Sequence, residues 1–197
     1  DEVAAFVREQ PIVRFSKDSI MVYQGELPRS LYAIRSGYVK IYDLSGDGSE
    51  QLLGLAGKHE FIPSEIIFTE FKPSQFFYAA FTPVEVYAIN RQAFLARITN
   101  NSEALLRIVE AVTANYQGQM WHLNAVQKPK AREKIVYVLH YLAAHFGAVE
   151  QKRLQEIVLP LTQQDIANLV GVTRETAAHE LRLLKSQGYI TYDKASF

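Results

Sequence analysis

The sequence predicts an α+β protein with an N-terminal β-roll of the jelly-roll type, a long helix and a C-terminal winged helix-turn-helix. Three observations on its 197 residues predict this order. Short β-branched and aromatic runs, separated by turn residues, fill the first half of the chain. Helical periodicity replaces them after about residue 90. A glycine turn between two short amphipathic segments then marks the C-terminal part.

The strand predictions depend on turn residues that bound each run. Gly25, Gly37 and Gly48 lie between apolar runs, and prolines at 63, 73 and 83 interrupt the rest. Short strands at this spacing are typical of a barrel or jelly roll. The clearest runs cover residues 20–23, 31–34, 38–42 and 84–87.

A long helix is predicted over residues 101–127, after a short helix over 91–98. The polar residues at 100–102 can cap its start. Apolar residues recur along it with spacings of four and three, which indicates a seam against a partner helix and hence a homodimer. The alternative is a stripe buried against the chain's own sheet. Glycine at position 118 destabilises a helix interior, and a close approach of another helix at this point would explain its presence. The predicted seam consists of Leu105, Val109, Val112, Tyr116, Gln119, Leu123 and Val126.

A domain boundary is predicted at residues 127–129. Pro129 suits the first position of a new helix that runs to Phe146, where Gly147 can end it. The charge changes sign at the same place. Residues 1–127 carry 11 basic and 14 acidic residues, a net of −3, whereas residues 128–197 carry 10 and 7, a net of +3. We therefore expect two domains, residues 1–127 and 128–197, and the second has the sign that attracts phosphate.

A helix-turn-helix is predicted between Thr162 and residue 186. Thr162 and Asp165 form a capping-box pattern that opens the first helix. Gly171 permits a left-handed turn residue, and Thr173 caps the second helix. Ile166, Leu169 and Val170 give the first helix its apolar face. Strands expected over residues 156–159 and 189–192 would make this a winged version.

The second helix of this motif carries the side chains that point to DNA. Arg174, Glu175 and His179 fall on its first turns, where a recognition helix presents residues to base edges. Arginine can donate twice to guanine, and glutamate can accept from cytosine. The alternative is a solvated helix with capping charges. The predicted DNA-binding residues are Thr162, Gln163, Thr173, Arg174, Glu175, Thr176 and His179, with the threonines on phosphates.

The run from Gly171 to Thr176 resembles the recognition-helix entry of the CRP/FNR family of dimeric regulators, and the order of elements is similar along the whole chain. The resemblance implies a sensor domain in the β-roll, with an effector between the roll and the long helix. It also implies two recognition helices in successive major grooves of double-stranded DNA. RNA polymerase would be a further partner if the protein is an activator.

The resemblance does not extend to the phosphate ligands of the cyclic-nucleotide site. Glu65 can be matched to the ribose-binding carboxylate, but no arginine lies between Lys72 and Arg91. Because a buried phosphate needs a cation or several donors, we expect no cyclic nucleotide to bind. The effector, if there is one, stays unknown, and the same aromatic residues can instead be core packing. The candidate pocket consists of Phe61, Glu65, Phe77, Tyr78 and Gln119.

Several classes of site are excluded by composition. There is no cysteine, hence no disulfide, thiolate zinc site or iron–sulfur cluster. No clustered histidines and carboxylates predict a metal site or an enzyme, and no cofactor is expected. His59 alone keeps open a haem-type sensor, and DNA binding that depends on a haem-type or cyclic-nucleotide-type effector is the alternative function. Neither an export signal nor a membrane-spanning run is legible, so we expect a cytoplasmic protein.

Overall fold

The computed structural model describes residues 2–28, 30–68, 72–147 and 155–192. The chain forms two compact units. Unit 1 consists of Asp1–Asp43 and Leu55–Asn115, and unit 2 consists of Leu44–Gly54 and Tyr116–Phe197. The structure has a β-rich N-terminal part followed by helices, so the α+β prediction is confirmed.

Within the described residues, eight strands form two four-stranded sheets, and they overlap all four runs predicted above. They are β1 (Ile12–Phe15), β2 (Ile20–Val22), β3 (Leu31–Ser36), β4 (Val39–Leu44), β5 (Glu50–Ala56), β6 (Phe61–Ile62), β7 (Phe77–Ala80) and β8 (Val84–Ile89). The strand orders are β1-β8-β3-β6 and β2-β7-β4-β5. Gly37 joins β3 to β4 at φ 84°, and a Cβ there would lie 2.2 Å from the Pro83 carbonyl oxygen, so this turn requires glycine.

The main core of unit 1 lies between the two sheets. Ile34 and Val86 from the first sheet meet Val39 and Tyr78 from the second, all at 6% exposure or less. In β8 buried residues alternate with half-buried ones, whereas β3 and β7 have consecutive buried residues because both of their faces are covered in part.

Three helices cover the other face of the first sheet. They are α1 (Glu2–Arg8), α2 (Arg91–Thr99) and the start of the long helix α3 (Ser102–Val126). Asn90 caps α2, and the Asn101 side chain accepts from the Ala104 amide at the start of α3. Phe94 and Ile98 are fully buried in this second cluster, together with Ile108 from α3.

Unit 2 is built from the second half of α3 and the helices α4 (Ala131–Phe146), α5 (Gln163–Val170) and α6 (Arg174–Ser186). Ile135, Val138 and Leu142 of α4 are fully buried. Gly118 lies close to α4 of the same chain, so it does not test the predicted approach of a partner helix. A Cβ at this position would lie 2.9 Å from His145 Nε2 and 3.4 Å from Tyr141 Cε2, so the side chains of α4 occupy the space.

Three local predictions are wrong. Pro129 is not the first residue of α4, because Lys130 is the extended N-cap and the helix starts at Ala131. No strand forms over residues 189–192, because the Tyr189 amide instead donates to the Leu184 carbonyl at the end of α6 and no described strand pairs with this segment. Residues 156–159 make only an isolated bridge, between Ile157 and Gly147. The strands expected for the wing are thus not formed among the described residues.

Candidate nucleic-acid interface

The first helix of the motif, α5, begins at a complete capping box. The Thr162 hydroxyl accepts from the Asp165 amide at 3.1 Å, and the Asp165 carboxylate accepts from the Thr162 amide at 2.7 Å. These bonds satisfy two backbone donors that the helix cannot pair by itself. Ile166, Ala167 and Leu169 are at most 1% exposed, so α5 is held by its apolar face.

The turn between α5 and α6 has the predicted chemistry. Gly171 has φ 67° and ψ 49°, in the left-handed region that glycine adopts without strain. The Val172 amide donates to the Ala167 carbonyl. Thr173 then caps α6 by accepting from the Thr176 amide at 3.2 Å. Ala177 and Leu181 are fully buried, so α6 packs on α5 through its inner face.

The outer face of α6 exposes charged side chains. Arg174, Glu175 and His179 are all exposed at its N-terminal turns, as predicted. A shallow hollow of 290 Å³ brings the first two together with Gln163 of α5. The hollow is also lined by Arg182, which sequence reasoning missed. The spacing of 174, 178 and 182 places these residues on one helical face, and this signal was available in the sequence.

The three threonines predicted to hold phosphates have their hydroxyls in local bonds. The Thr162 hydroxyl lies 2.6 Å from Asp165, and those of Thr173 and Thr176 lie 3.0 Å apart. A phosphate oxygen accepts hydrogen bonds, so a threonine must donate its hydroxyl proton to hold one. The Thr162 proton is donated to Asp165, whereas one of the Thr173 and Thr176 hydroxyls still has a proton to donate. On the inner side of α6, Glu180 has a buried Oε2 atom without a hydrogen bond among the described residues, which nothing in the structure explains.

A buried histidine holds the C-terminal end of α5. His122 of α3 is 7% exposed, and its ring nitrogens lie 2.9 Å from the Leu53 carbonyl and 2.8 Å from the Leu169 carbonyl. A neutral imidazole has one N–H and donates to one of the two, whereas the doubly protonated ring donates to both. Lys134 of α4 donates to the next carbonyl, that of Val170, at 3.4 Å. Two side chains therefore satisfy carbonyls that α5 leaves unpaired.

The predicted seam forms an exposed apolar stripe along α3. Val109, Val112, Tyr116 and Leu123 are 41–64% exposed. Leu105 and Val126 are half-buried, and Gln119 is exposed with its amide near Gly54. A different face of the same helix is buried at Ala104, Ile108 and Ala125. The stripe is thus not the face that packs on the chain's own core.

Two of the predicted effector residues bond to each other. The Tyr78 hydroxyl donates to the Glu65 carboxylate, at 2.9 Å from both of its oxygens. Tyr78 is 3% exposed, and burial, followed by the charge of Glu65, raises the pKa of its hydroxyl well above the ordinary value. The hydroxyl therefore stays a neutral donor, and it holds one side of the exposed carboxylate that was matched to the ribose ligand.

The other three predicted pocket residues have different surroundings. Phe61 packs against Phe94, with ring centroids 5.1 Å apart. Phe77 stacks on Tyr42, also at 5.1 Å. Gln119 belongs to unit 2. Among the predicted pocket residues, all of which are described, only Glu65 and Tyr78 are joined by a hydrogen bond in unit 1.

The described residues contain neither a metal-binding cluster nor a membrane-spanning helix. No cluster of three or more histidines and carboxylates that can hold a metal ion occurs in the described residues. His140 lies against Trp121 with ring centroids 5.2 Å apart. Among the described helices, none is long and apolar enough to cross a membrane.

Two family models match the chain. Residues 12–101 match the cyclic nucleotide-binding domain, and residues 133–196 match the Crp-like helix-turn-helix domain. The first covers both sheets and α2, and the second covers α5, the turn and α6.

Curated relatives and solved structures agree with these matches. A CRP-like cAMP-activated global transcriptional regulator of Mycobacterium tuberculosis is 29% identical over 98% of this chain and 86% of its own length. The nitrogen fixation regulation protein FixK of Azorhizobium caulinodans is 26% identical over 90% of this chain and 70% of its own. The structure of FixK2 from Bradyrhizobium japonicum has a TM-score of 0.79 at 18% identity, covering 94% of this chain and 89% of that one, and so shows a shared fold.

Proposed function

Because the chain belongs to the CRP/FNR family of transcription regulators, with a helix-turn-helix DNA-binding domain, we propose that it binds a near-palindromic DNA site as a homodimer. Residues 1–127 form the sensor and dimerisation domain in this proposal, and residues 128–197 form the DNA-binding domain. The protein acts in the cytoplasm, on double-stranded DNA. RNA polymerase is a partner if the regulator activates transcription.

The exposed N-terminal face of α6 is the observation that carries the proposal. Arg174 and Glu175 lie beside Gln163 and Arg182 around one hollow, and His179 extends this face. Arginine and glutamate at this position can read guanine and cytosine edges in the major groove. Arg182 and Thr173 would contact the phosphates that flank those bases.

The exposed stripe on α3 supports the homodimer. A helix that buries one face in its own chain and exposes a second apolar face needs a partner for that face. A second copy satisfies this need with two-fold symmetry, since each α3 can pack along the other with the a/d spacing. Two recognition helices related in this way reach half-sites about 34 Å apart, one turn of DNA.

We propose further that cyclic nucleotide does not control this binding. The Mycobacterium tuberculosis relative is described as cAMP-activated. In this chain, however, Tyr78 bonds to Glu65, and the described residues 72–90 include no arginine that can neutralise a phosphate. Because an unneutralised buried phosphate is costly, neither cAMP nor cGMP should raise DNA affinity.

The experiment is selection of bound duplexes from a random library by the ligand-free protein. We expect a two-fold-symmetric site, and an affinity that falls with added salt because phosphate contacts release counterions. Adding cAMP should change neither the selected site nor its affinity. Enrichment only in the presence of cAMP would contradict the effector part of the proposal, and a single asymmetric half-site would contradict the homodimer.

A further inference from the structure

A cavity of 670 Å³ opens in unit 1, away from the Glu65–Tyr78 pair. It lies among α1, the first turns of α3, β3 and the turn over residues 57–60. Its volume is within the range of small-molecule sites, about 300–1,000 Å³. Of the predicted effector residues, only Phe61 lines it.

The ionisable side chains around this cavity have one sign of charge. Arg8, Arg35, Lys58 and Arg107 line it together with His59, and none of the lining residues, all of them described, is a carboxylate. Arg35 is bonded to Glu85 at 3.0 Å and Arg107 to Glu103 at 2.8 Å. Arg8 and Lys58 have no carboxylate partner in the described part of the chain, so they carry uncompensated positive charge at the rim.

The turn that carries Lys58 and His59 is built to hold these side chains at the cavity. His59 has φ 76°, a left-handed conformation that costs a non-glycine residue of order 1 kcal/mol. Its amide donates to the Ile34 carbonyl at 2.9 Å, which fixes the turn on β3. Glu60, the acidic residue of the turn, does not line the cavity, and its carboxylate accepts from the Gly57 amide at 3.1 Å.

The remaining wall is mostly apolar and lies outside the proposed dimer seam. Among its lining residues, Val3, Ile34 and Ile108 are buried, and Val7 and Phe61 are half-buried. On α3 the cavity uses positions 104, 107, 108 and 111, whereas the seam uses 105, 109, 112 and 116. Since successive residues of a helix are about 100° apart, the centres of these two faces differ by roughly 120°. Pairing along the seam therefore leaves the cavity face of α3 outside it.

We propose that this cavity binds an organic anion with an apolar body, of the medium-chain carboxylate type. The apolar part packs on Val7, Phe61 and Ile108, and the carboxylate lies at the rim beside Lys58 and Arg8, with the His59 ring as a further donor. An anion is favoured over a cation because every charged lining side chain is basic. The proposal concerns binding by unit 1 and does not rest on DNA binding.

Decanoate and decyltrimethylammonium are the probes, since they share a chain length and differ in charge. Each probe is titrated into the full chain at concentrations below its aggregation concentration. Calorimetry and methyl NMR shifts measure the binding. Decanoate should bind, shift the methyl signals of Val7 and Ile108, and bind roughly tenfold more tightly than the cation. Equal binding of both probes, or shifts confined to other methyl groups, would overturn the proposal.

Paired variants locate the binding. Ala111→Phe fills the mouth from an exposed position on α3 and should abolish decanoate binding, whereas Ala114→Phe, exposed on the same helix but outside the lining, should not. Lys58→Ala should weaken decanoate binding roughly 2–5-fold, and Lys17→Ala, at an exposed turn elsewhere, should leave it unchanged. Circular dichroism checks that each variant is folded. Unchanged binding in folded Ala111→Phe, or in Lys58→Ala, would overturn the proposal.

Discussion

Polar side chains have different surroundings on the outer face of α6 and around Glu65. At α6, Arg174, Glu175 and His179 are exposed, and the local caps satisfy only the backbone and the threonines. At Glu65, the carboxylate is bonded by a buried tyrosine of the same unit. The first region leaves its charged groups open to an outside partner, whereas the second uses part of its acceptor capacity within unit 1.

Under the proposal, this difference distinguishes a DNA-binding surface from a matched family site that lacks the groups to hold a cyclic nucleotide. A matched fold places a loop and a carboxylate at the same point of the chain, but the available hydrogen-bonding groups decide what can bind there. The stripe on α3 and the rim of the cavity in unit 1 are open in the same sense as α6. The stripe exposes apolar area, and the rim exposes positively charged side chains.

Breaking the stripe on α3 should have the largest effect. Leu123→Glu places a charge in the proposed seam of each protomer, so the dimer dissociation constant should rise at least about 100-fold, since two leucine burials are lost. Sedimentation velocity measures the dimer, and affinity for the selected duplex should fall with it. Ala114→Glu, exposed on the same helix but off the seam, is the control. An intact Leu123→Glu dimer would rule out the seam.

The His122 contacts test whether a buried side chain stabilises unit 2 by bonding to backbone carbonyls. His122→Leu removes the ring N–H, so the carbonyl that receives it loses its donor and unit 2 should lose about 1–3 kcal/mol of unfolding free energy. Urea unfolding with hydrogen exchange of the α5 amides measures this loss. His140→Leu, at an exposed position of α4, should cost less. If both variants are equally stable, His122 does not hold α5.

Removing the Tyr78 hydroxyl should cost less and leave DNA binding unchanged. Tyr78→Phe deletes the bond to Glu65, so unfolding of unit 1 should become easier by about 1 kcal/mol, because the exposed Glu65 carboxylate regains water. Tyr23→Phe, at an exposed ring, should change little. Chemical denaturation and duplex affinity are the two measurements. A new response to cAMP in Tyr78→Phe would mean that this hydroxyl alone closes the site, contrary to the need for a cation.

The smallest effect on stability is expected from Glu60, whose carboxyl group is half-buried. Burial raises the pKa of Glu60, so the folded state holds this proton more tightly than the unfolded state. Stability from this group is therefore present below the unfolded pKa and lost as pH rises through the raised value. Glu60→Gln should remove that decline and stabilise unit 1 slightly at neutral pH, as measured by melting temperature between pH 4 and 8. A steeper decline in the variant would contradict this assignment.

Local chemistry explains what the sequence could predict. The caps at Thr162 and Thr173 and the left-handed Gly171 depend on neighbours within a few residues, so the whole helix-turn-helix was predicted from its pattern. Arg182 was available from the same spacing and was missed. The wing strands were predicted from composition alone and are wrong, since a strand also needs a pairing partner.

Contacts between distant residues explain what could not be predicted. Tyr78 reaches Glu65 across 13 positions, and His122 joins carbonyls that lie 69 and 47 positions away. Neither pairing has a sequence signal, because both depend on how separate elements pack. The cavity in unit 1 arises in the same way from α1, β3 and α3.

The most direct test compares wild type and Arg174→Ala on the selected duplex and on single-base variants of one half-site. If α6 reads bases, the variant should lose about 1–3 kcal/mol on the preferred duplex and stop discriminating at one position per half-site. Arg97→Ala, an exposed arginine of α2, should behave as wild type. An equal loss on every duplex would assign Arg174 to a phosphate, and no loss at all would contradict the claim that this face of α6 reads DNA.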